Sequence, residues 1–267
     1  MAGTELTNVR SPRVKAARRL TKRAYREQDR KFLAEGPQAV REALKLDGVT
    51  LELFVTAEAE LRHPELVTEA TLQGVPVHRA SGEIMAQLSQ TVTPQGLLAV
   101  CRLVHVSLDE ALPAAPRLVA VLAHVRDPGN AGTVMRAADA AGADAVIFTD
   151  ASVDPYNGKC VRASAGSLFH LPVVIGAPVA RAVGVLRERG LRMLAADGAG
   201  KHTLDDVDLS GPAGWIFGNE AWGLPDEVLG QADEVVRVPI YGRAESLNLA
   251  TAAAVCLYSS ARAQRVS

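Results

Sequence analysis

The chain has 267 residues, 48% hydrophobic and 22% charged, with mean hydropathy +0.08 and a formal net charge of -1. These values describe a soluble globular protein long enough for two cores, and they exclude wholesale disorder. The near-zero charge hides an asymmetry: residues 1–31 hold ten Lys/Arg against Glu5, Glu27 and Asp29, a net +7 that leaves -8 on the rest. A concentrated basic segment steers toward a polyanion even on a neutral protein.

Residues 1–30 read as a basic N-terminal arm. From Val14 to Arg26 the cations Lys15, Arg18, Arg19, Lys22, Arg23 and Arg26 recur at intervals of three and four, so a helix places them on one face, with Arg10 just upstream. A solvated face explains such a stripe about as well as an anionic partner does. With no carboxylate interleaved, six like charges repel each other unless an anion lies nearby, and this favours contact with RNA backbone.

Residues 31–104 alternate between helix and strand signals. Gly36-Pro37 opens an amphipathic stretch through Leu46, followed by a strand at Leu51–Thr56, a helix at Pro64–Gln73, a strand at Val75–His78, a helix at Glu83–Leu88 and a strand at Leu97–Leu103. This is a small α/β unit. Residues 105–117, with Pro113 and Pro116, read as a linker.

Residues 118–267 form the second α/β region. Strands are expected at Leu118–Val125, Ala145–Phe148, Val173–Ile175, Arg192–Ala196, Trp215–Phe217 and Val235–Val238. Helices are expected at Asn130–Ala141, Pro178–Arg189, Pro225–Gln231 and Glu245–Arg262. Nearly all-apolar strands, each followed by a helix, indicate a parallel sheet covered on both faces.

Several chemistries lack their signatures. Cys101, Cys160 and Cys256 are far apart and odd in number, and His63, His78, His105, His124, His170 and His202 are scattered, so neither a disulfide framework nor a metal site is expected. No apolar run approaches the roughly 20 residues of a membrane helix, and the N-terminus lacks an apolar signal core. A cytoplasmic protein without membrane contact is the expectation. The Gly-rich dinucleotide fingerprint and the nucleophile elbow are absent, and Gly198-Ala199-Gly200-Lys201-His202 lacks the rest of a phosphate loop.

Three segments remain. In Val125-Arg126-Asp127-Pro128-Gly129-Asn130-Ala131-Gly132-Thr133-Val134-Met135-Arg136, a turn leads into a helix that Asn130 can cap, with Arg136 in its second turn. In Ile216-Phe217-Gly218-Asn219-Glu220-Ala221-Trp222-Gly223-Leu224-Pro225, a strand ends in glycine, amide and carboxylate, where open α/β sheets bind ligands. In Val238-Pro239-Ile240-Tyr241-Gly242-Arg243-Ala244-Glu245-Ser246-Leu247-Asn248-Leu249-Ala250, a polar loop precedes a small-residue helix suited to close packing. Taken singly, each is explained equally well by caps and turns.

Together and in this order the three segments resemble the SpoU/TrmH family of RNA 2′-O-ribose methyltransferases of the SPOUT superfamily, over about Leu118 to Arg265. Residues 31–104, with Phe32-Leu33-Ala34-Glu35-Gly36 and Thr93-Pro94-Gln95-Gly96, resemble the L30e-like substrate-binding domain many members carry. The resemblance implies a deep trefoil knot in the C-terminal half of the sheet, a homodimer formed through the knot region, and S-adenosylmethionine as cofactor with no metal. Leu194, Ala195, Ala196, Gly218, Asn219, Val238, Ile240, Ser246, Leu247 and Asn248 would hold the cofactor. Arg136, Asn130, Glu220, Ser246 and Asn248 would form the catalytic set. Within it Asn130 would orient Arg136 or the RNA, Glu220 would organise the loops, and Ser246 and Asn248 would position ribose and methyl donor.

Arg136 matches the family's proposed base for the 2′-hydroxyl. Because guanidinium stays protonated to about pH 12, holding a phosphate or stabilising the alkoxide is an equally physical role. Arg162 and Asn157 are further candidates for RNA or structural contact. The implied substrate is structured RNA, with ribosomal (23S) RNA favoured over transfer RNA. A non-catalytic RNA-binding or ribosome-assembly protein on the same scaffold is the alternative from another class.

Overall fold

The computed structural model describes residues 5–266; residues 1–4 of the expected basic arm lie outside them. The chain divides into two compact units, one running to Val104 and including Tyr156–Phe169, the other made of His105–Pro155 and the chain from His170 onward.

The first unit contains, in order, α1 (Pro12–Arg19), α2 (Arg23–Asp29), β1 (Lys31–Glu35), α3 (Pro37–Leu44), β2 (Thr50–Val55), α4 (Ala57–Arg62), α5 (Pro64–Leu72), β3 (Val77–Arg79), α6 (Gly82–Leu88) and β4 (Leu97–Arg102). Its mixed four-stranded sheet has the order β1-β4-β2-β3, with β1 and β2 antiparallel to the central β4 and β3 parallel to β2. Local chemistry sets the helix starts. Ser11, Thr56 and Ser81 each accept a backbone N–H of the turn they open, and Pro12, Pro37 and Pro64 stand at first positions that need no donor.

The basic segment is two helices rather than one. Val14, Ala17 and Leu20 are buried with Ile84, Met85, Leu88 and Phe54, so the apolar side of α1 joins the core and its cations face water. Arg26 departs from the expected stripe: it is only 4% exposed, and its Nη1 donates to the carbonyls of Leu20 and Thr21, both at 2.9 Å. A guanidinium that closes the carbonyl end of α1 is structural, and RNA does not reach it. Arg23 pairs with Glu27 at 2.7 Å and Arg19 donates to Asp29 at 2.8 Å, so carboxylates just beyond the stripe neutralise part of it. Arg10, Lys15, Arg18 and Lys22 remain exposed.

The second unit holds α7 (Leu108–Ala111), β5 (Leu118–Leu122), α8 (Pro128–Ala141) and β6 (Ala145–Thr149) before the chain contributes α9 (Gly158–Ala163) and a 3-10 turn at Ser167–Phe169 to the first. It resumes with β7 (Val173–Ala177), α10 (Val179–Glu188), β8 (Arg192–Ala196), β9 (His202–Thr203), β10 (Ala213–Phe217), α11 (Asp226–Leu229), β11 (Glu234–Arg237) and α12 (Leu249–Val266). The seven strands are parallel, in the order β7-β6-β5-β10-β8-β11-β9. Every residue of β5, β6 and β10 is buried, as a sheet covered on both faces requires. Helix α12 packs along α8 and against β10, where Trp215 donates its indole N–H to Ser260 Oγ at 2.8 Å.

Three further expectations change. The stretch 105–117 is not a free linker: Ser107 and Glu110 form a capping box, and Leu108, Ala111 and Leu112 enter the core of the second unit. Arg162 is not free for RNA, since its Nη1 donates at 2.9 Å to the buried Glu35, and the Asn157 side chain caps α9 by accepting from Lys159 N. Residues 156–169 belong with the first unit, where Tyr156 and Phe169 pack on Phe32.

All three cysteines are buried thiols outside any disulfide, and burial pushes the Cys101 and Cys256 thiols up to about 12. No helix among the described residues is long and apolar enough to cross a membrane, and no group of three potential metal ligands occurs among them.

Replacing Arg26 with Met would leave the buried Leu20 carbonyl without this donor and the part-buried Thr21 carbonyl with only the Gln90 amide at 3.4 Å, at a cost of about 1–3 kcal/mol. Urea unfolding should show this as a lower midpoint for Arg26→Met, while Lys22→Met, which removes an exposed cation, leaves the midpoint in place. Equal midpoints for Arg26→Met and the unaltered protein would contradict the capping role.

Candidate active site

The carboxyl ends of parallel strands all lie on one edge, and loops leaving that edge can converge. The loops after β8, β10 and β11 do so here, around a cleft of about 830 Å³. Ala196, Asp197 and Gly198 line it from the first loop, Gly218 to Gly223 from the second, and Val236, Arg237, Val238, Ile240 and Glu245 to Leu249 from the third, with Ala252 on α12.

Close backbone approach shapes the second loop. Asn219 and Gly223 exchange two backbone hydrogen bonds, both 2.9 Å, and a Cβ on Gly218 would stand 2.6 Å from the Gly223 carbonyl. Gly223 itself has φ +69°, and a Cβ there would meet an Asp197 carboxylate oxygen at 3.0 Å. The buried Asn219 side chain accepts from Ala221 N at 2.9 Å and donates to the His124 carbonyl at 3.1 Å. His124, at the end of β5, takes φ 56°, a left-handed turn uncommon for a non-glycine residue.

Side chains then join the three motifs. Asp127, not Asn130, caps α8, accepting from Asn130 N at 2.8 Å, and this leaves the Asn130 amide free. Asn130 Nδ2 donates to Glu220 Oε1 at 3.2 Å, and Asn130 Oδ1 accepts from Asn248 Nδ2 at 3.0 Å. Asn248 Oδ1 also accepts from Ala250 N at 2.9 Å, so the same residue opens α12, which begins at Leu249 rather than at Glu245. One relay, Glu220–Asn130–Asn248, thus spans segments far apart in sequence.

Of the residues singled out in the sequence, Gly218, Asn219, Glu220, Val238, Ile240, Ser246, Leu247, Asn248 and Ala196 line the cleft. Leu194 and Ala195 do not: both are fully buried mid-strand in β8, and only the end of that strand reaches the cleft. Arg136 lies outside the cleft lining, exposed on α8, with no hydrogen bond or ion pair among the described residues. Asn130 therefore does not orient it, since six helical positions put the two side chains about 120° apart. Asp197, Glu245 and Trp222 escaped the sequence reading. Asp197 directly follows an expected strand, and the strand-end rule that marked Glu220 applies equally to it.

With its parallel sheet, cleft and tied loops, the chain matches the S-adenosylmethionine-dependent RNA 2′-O-ribose methyltransferases. In particular, the chain belongs to the SpoU rRNA methylase family, which it matches over residues 117–258, while residues 11–99 match the MRM3-like substrate-binding domain. It is 34% identical to the 23S rRNA (guanosine(2553)-2′-O)-methyltransferase RlmP of Bacillus subtilis, covering 95% of this chain and 98% of that protein. The crystal structure of an AdoMet-bound rRNA methyltransferase from Sinorhizobium meliloti superposes with TM-score 0.85 at 31% identity, covering 97% of each chain. That of AviRb from Streptomyces viridochromogenes in complex with AdoMet gives TM-score 0.84 at 28% identity over 97% of this chain and 99% of that one. Family membership implies the trefoil knot in the C-terminal half of the sheet.

Because Gly218 has no room for a side chain, Gly218→Ala must displace the Glu220 loop. Calorimetry should show S-adenosylmethionine affinity falling at least tenfold in this variant. Gly211→Ala, in open space, should match the unaltered protein. Unchanged affinity in Gly218→Ala would contradict the described packing.

Proposed function

We propose that this enzyme methylates the ribose 2′-oxygen of a guanosine in 23S ribosomal RNA, taking the methyl group from S-adenosylmethionine held in the cleft. The observation that carries this reading is the Glu220–Asn130–Asn248 relay beside that cleft, because it joins all three family motifs at one place. The guanosine and 23S assignments rest on the Bacillus subtilis relative, whose match runs nearly end to end.

The cleft suits the cofactor. Its volume of about 830 Å³ falls in the range of roughly 300–1,000 Å³ usual for such sites. Val238, Ile240 and Leu247 would give the adenosine apolar surface, and Asp197, Glu220 and Glu245 give the cleft negative charge that would suit a cationic cofactor. When bound, S-adenosylmethionine supplies a methyl group already activated by the adjacent positive sulfur, so no metal is required.

The chain's own residues orient the acceptor. Ser246 and Asn248 line the cleft, where they would position ribose and methyl donor, and the relay holds Asn248 in place without substrate. A guanidinium is a fixed cation, so Arg136 acts by charge, holding the phosphate next to the target or stabilising negative charge that develops on the 2′-oxygen. Its freedom from any carboxylate suits that task. The exposed cations Arg10, Lys15, Arg18 and Lys22 of the first unit give the RNA backbone a sequence-independent hold.

The active species is a homodimer in the cytoplasm, joined through the knot region. Val255 and Tyr258 on α12, 37% and 52% exposed beside α8, offer the apolar surface such an interface uses.

Incubating the protein with labelled S-adenosylmethionine and 23S ribosomal RNA should yield one 2′-O-methylguanosine. Arg136→Ala should lower kcat/KM by about 100- to 1,000-fold with cofactor affinity unchanged. Label appearing on a base, on transfer RNA alone, or undiminished in Arg136→Ala would overturn this reading.

A further inference from the structure

The chain has two tryptophans, and they are placed very differently. Trp215 is fully buried in β10, whereas Trp222 lines the cleft with 56% of its surface exposed, which puts it on the rim. A half-exposed indole is apolar surface left in water, and burying it would be favourable. Its loop is not loose. The paired Asn219–Gly223 backbone bonds and the Asn219 side-chain bonds hold the backbone on both sides of the ring.

A cation already sits on this ring. The Arg126 guanidinium lies 5.3 Å from the Trp222 centroid, within cation–π range. Arg126 immediately precedes Asp127, the cap of α8, and Trp222 follows Glu220 by two residues. The relay that joins Asn130 to Glu220 therefore also fixes the two loops that carry the pair.

We propose that Trp222 and Arg126 form a stacking platform for the target nucleobase while its ribose is presented to the cleft. This deepens the proposed methyl transfer to RNA and rests on it. A ribose inside a stacked helix cannot enter a cleft between protein loops, so its nucleotide must leave the stack and lose stacking energy. An indole plane and a guanidinium plane are the two surfaces that best replace a lost neighbouring base. Because every base has a π-face, the platform contributes affinity and position rather than base identity.

The test uses the full-length protein and the buried position of Trp215. Titration with an oligoguanylate, and separately with transcribed 23S ribosomal RNA, should quench tryptophan emission saturably, and Trp222→Phe should abolish the quench. In methylation assays Trp222→Ala should lower kcat/KM for the RNA about 5- to 100-fold. Trp222→Phe should retain more of that activity than Trp222→Ala, with Arg126→Ala between the two, and in each variant calorimetric affinity for S-adenosylmethionine should fall by a smaller factor than kcat/KM for the RNA. Absence of quenching together with unaltered kcat/KM in Trp222→Ala would overturn the platform, as would a loss confined to cofactor affinity. Trp222-dependent quenching without any 2′-O-methylated product would support the platform and overturn the methyl-transfer reading, so the two fail separately.

Discussion

The site depends on a single constraint: the amide of Asn130 hydrogen-bonds Glu220 on one side and Asn248 on the other. Each neutral or singly charged hydrogen bond of this kind contributes only about 1–3 kcal/mol. Their effect is geometric, because they join loops leaving different parts of the sheet edge. The first motif can serve this purpose because Asp127 takes over the capping of α8. The second can because Gly218 and Gly223 let its loop fold tightly against itself. The third contributes an asparagine that holds the first turn of α12 with its oxygen and the relay with its nitrogen.

Charge is distributed according to the same division of tasks. In the first unit Val14, Ala17 and Leu20 anchor α1 in the core, so its cations are displayed from a fixed surface. Not all of that charge is available. Arg26 is consumed in closing α1, and Arg19 and Arg23 are partly neutralised by Asp29 and Glu27. In the cleft the balance reverses, with three carboxylates, Asp197, Glu220 and Glu245, against Arg237. A protein of net charge -1 thus carries exposed cations on α1 and its flanks and an excess of carboxylates around the cleft.

Much of this was legible in the sequence, for reasons that differ by element. The strands β5, β6 and β10 were readable because they are wholly apolar and end at turn residues, and α8 and α12 because their small residues keep helical spacing. Strand β1 was not, since five residues bounded by Lys31 and Glu35 show no alternation and follow directly on α2. Arg26 and Arg162 look like surface cations by type, and only tertiary contact with the Leu20 and Thr21 carbonyls and with Glu35 makes them structural. The motifs identified Asn130, Glu220 and Asn248, but periodicity carries no information on which loops meet. The relay, and the exclusion of Leu194 and Ala195 from the cleft, became visible only with the strand ends in place.

The most direct test is a double-mutant cycle on S-adenosylmethionine affinity, measured by calorimetry for Asn130→Ala, Asn248→Ala and the double variant. If the relay holds the cleft together, each single change weakens binding about three- to tenfold and the double is little worse than the weaker single, because the second change removes an interaction already lost. Losses that simply multiply, or affinities that do not change in any of the three, would contradict the account.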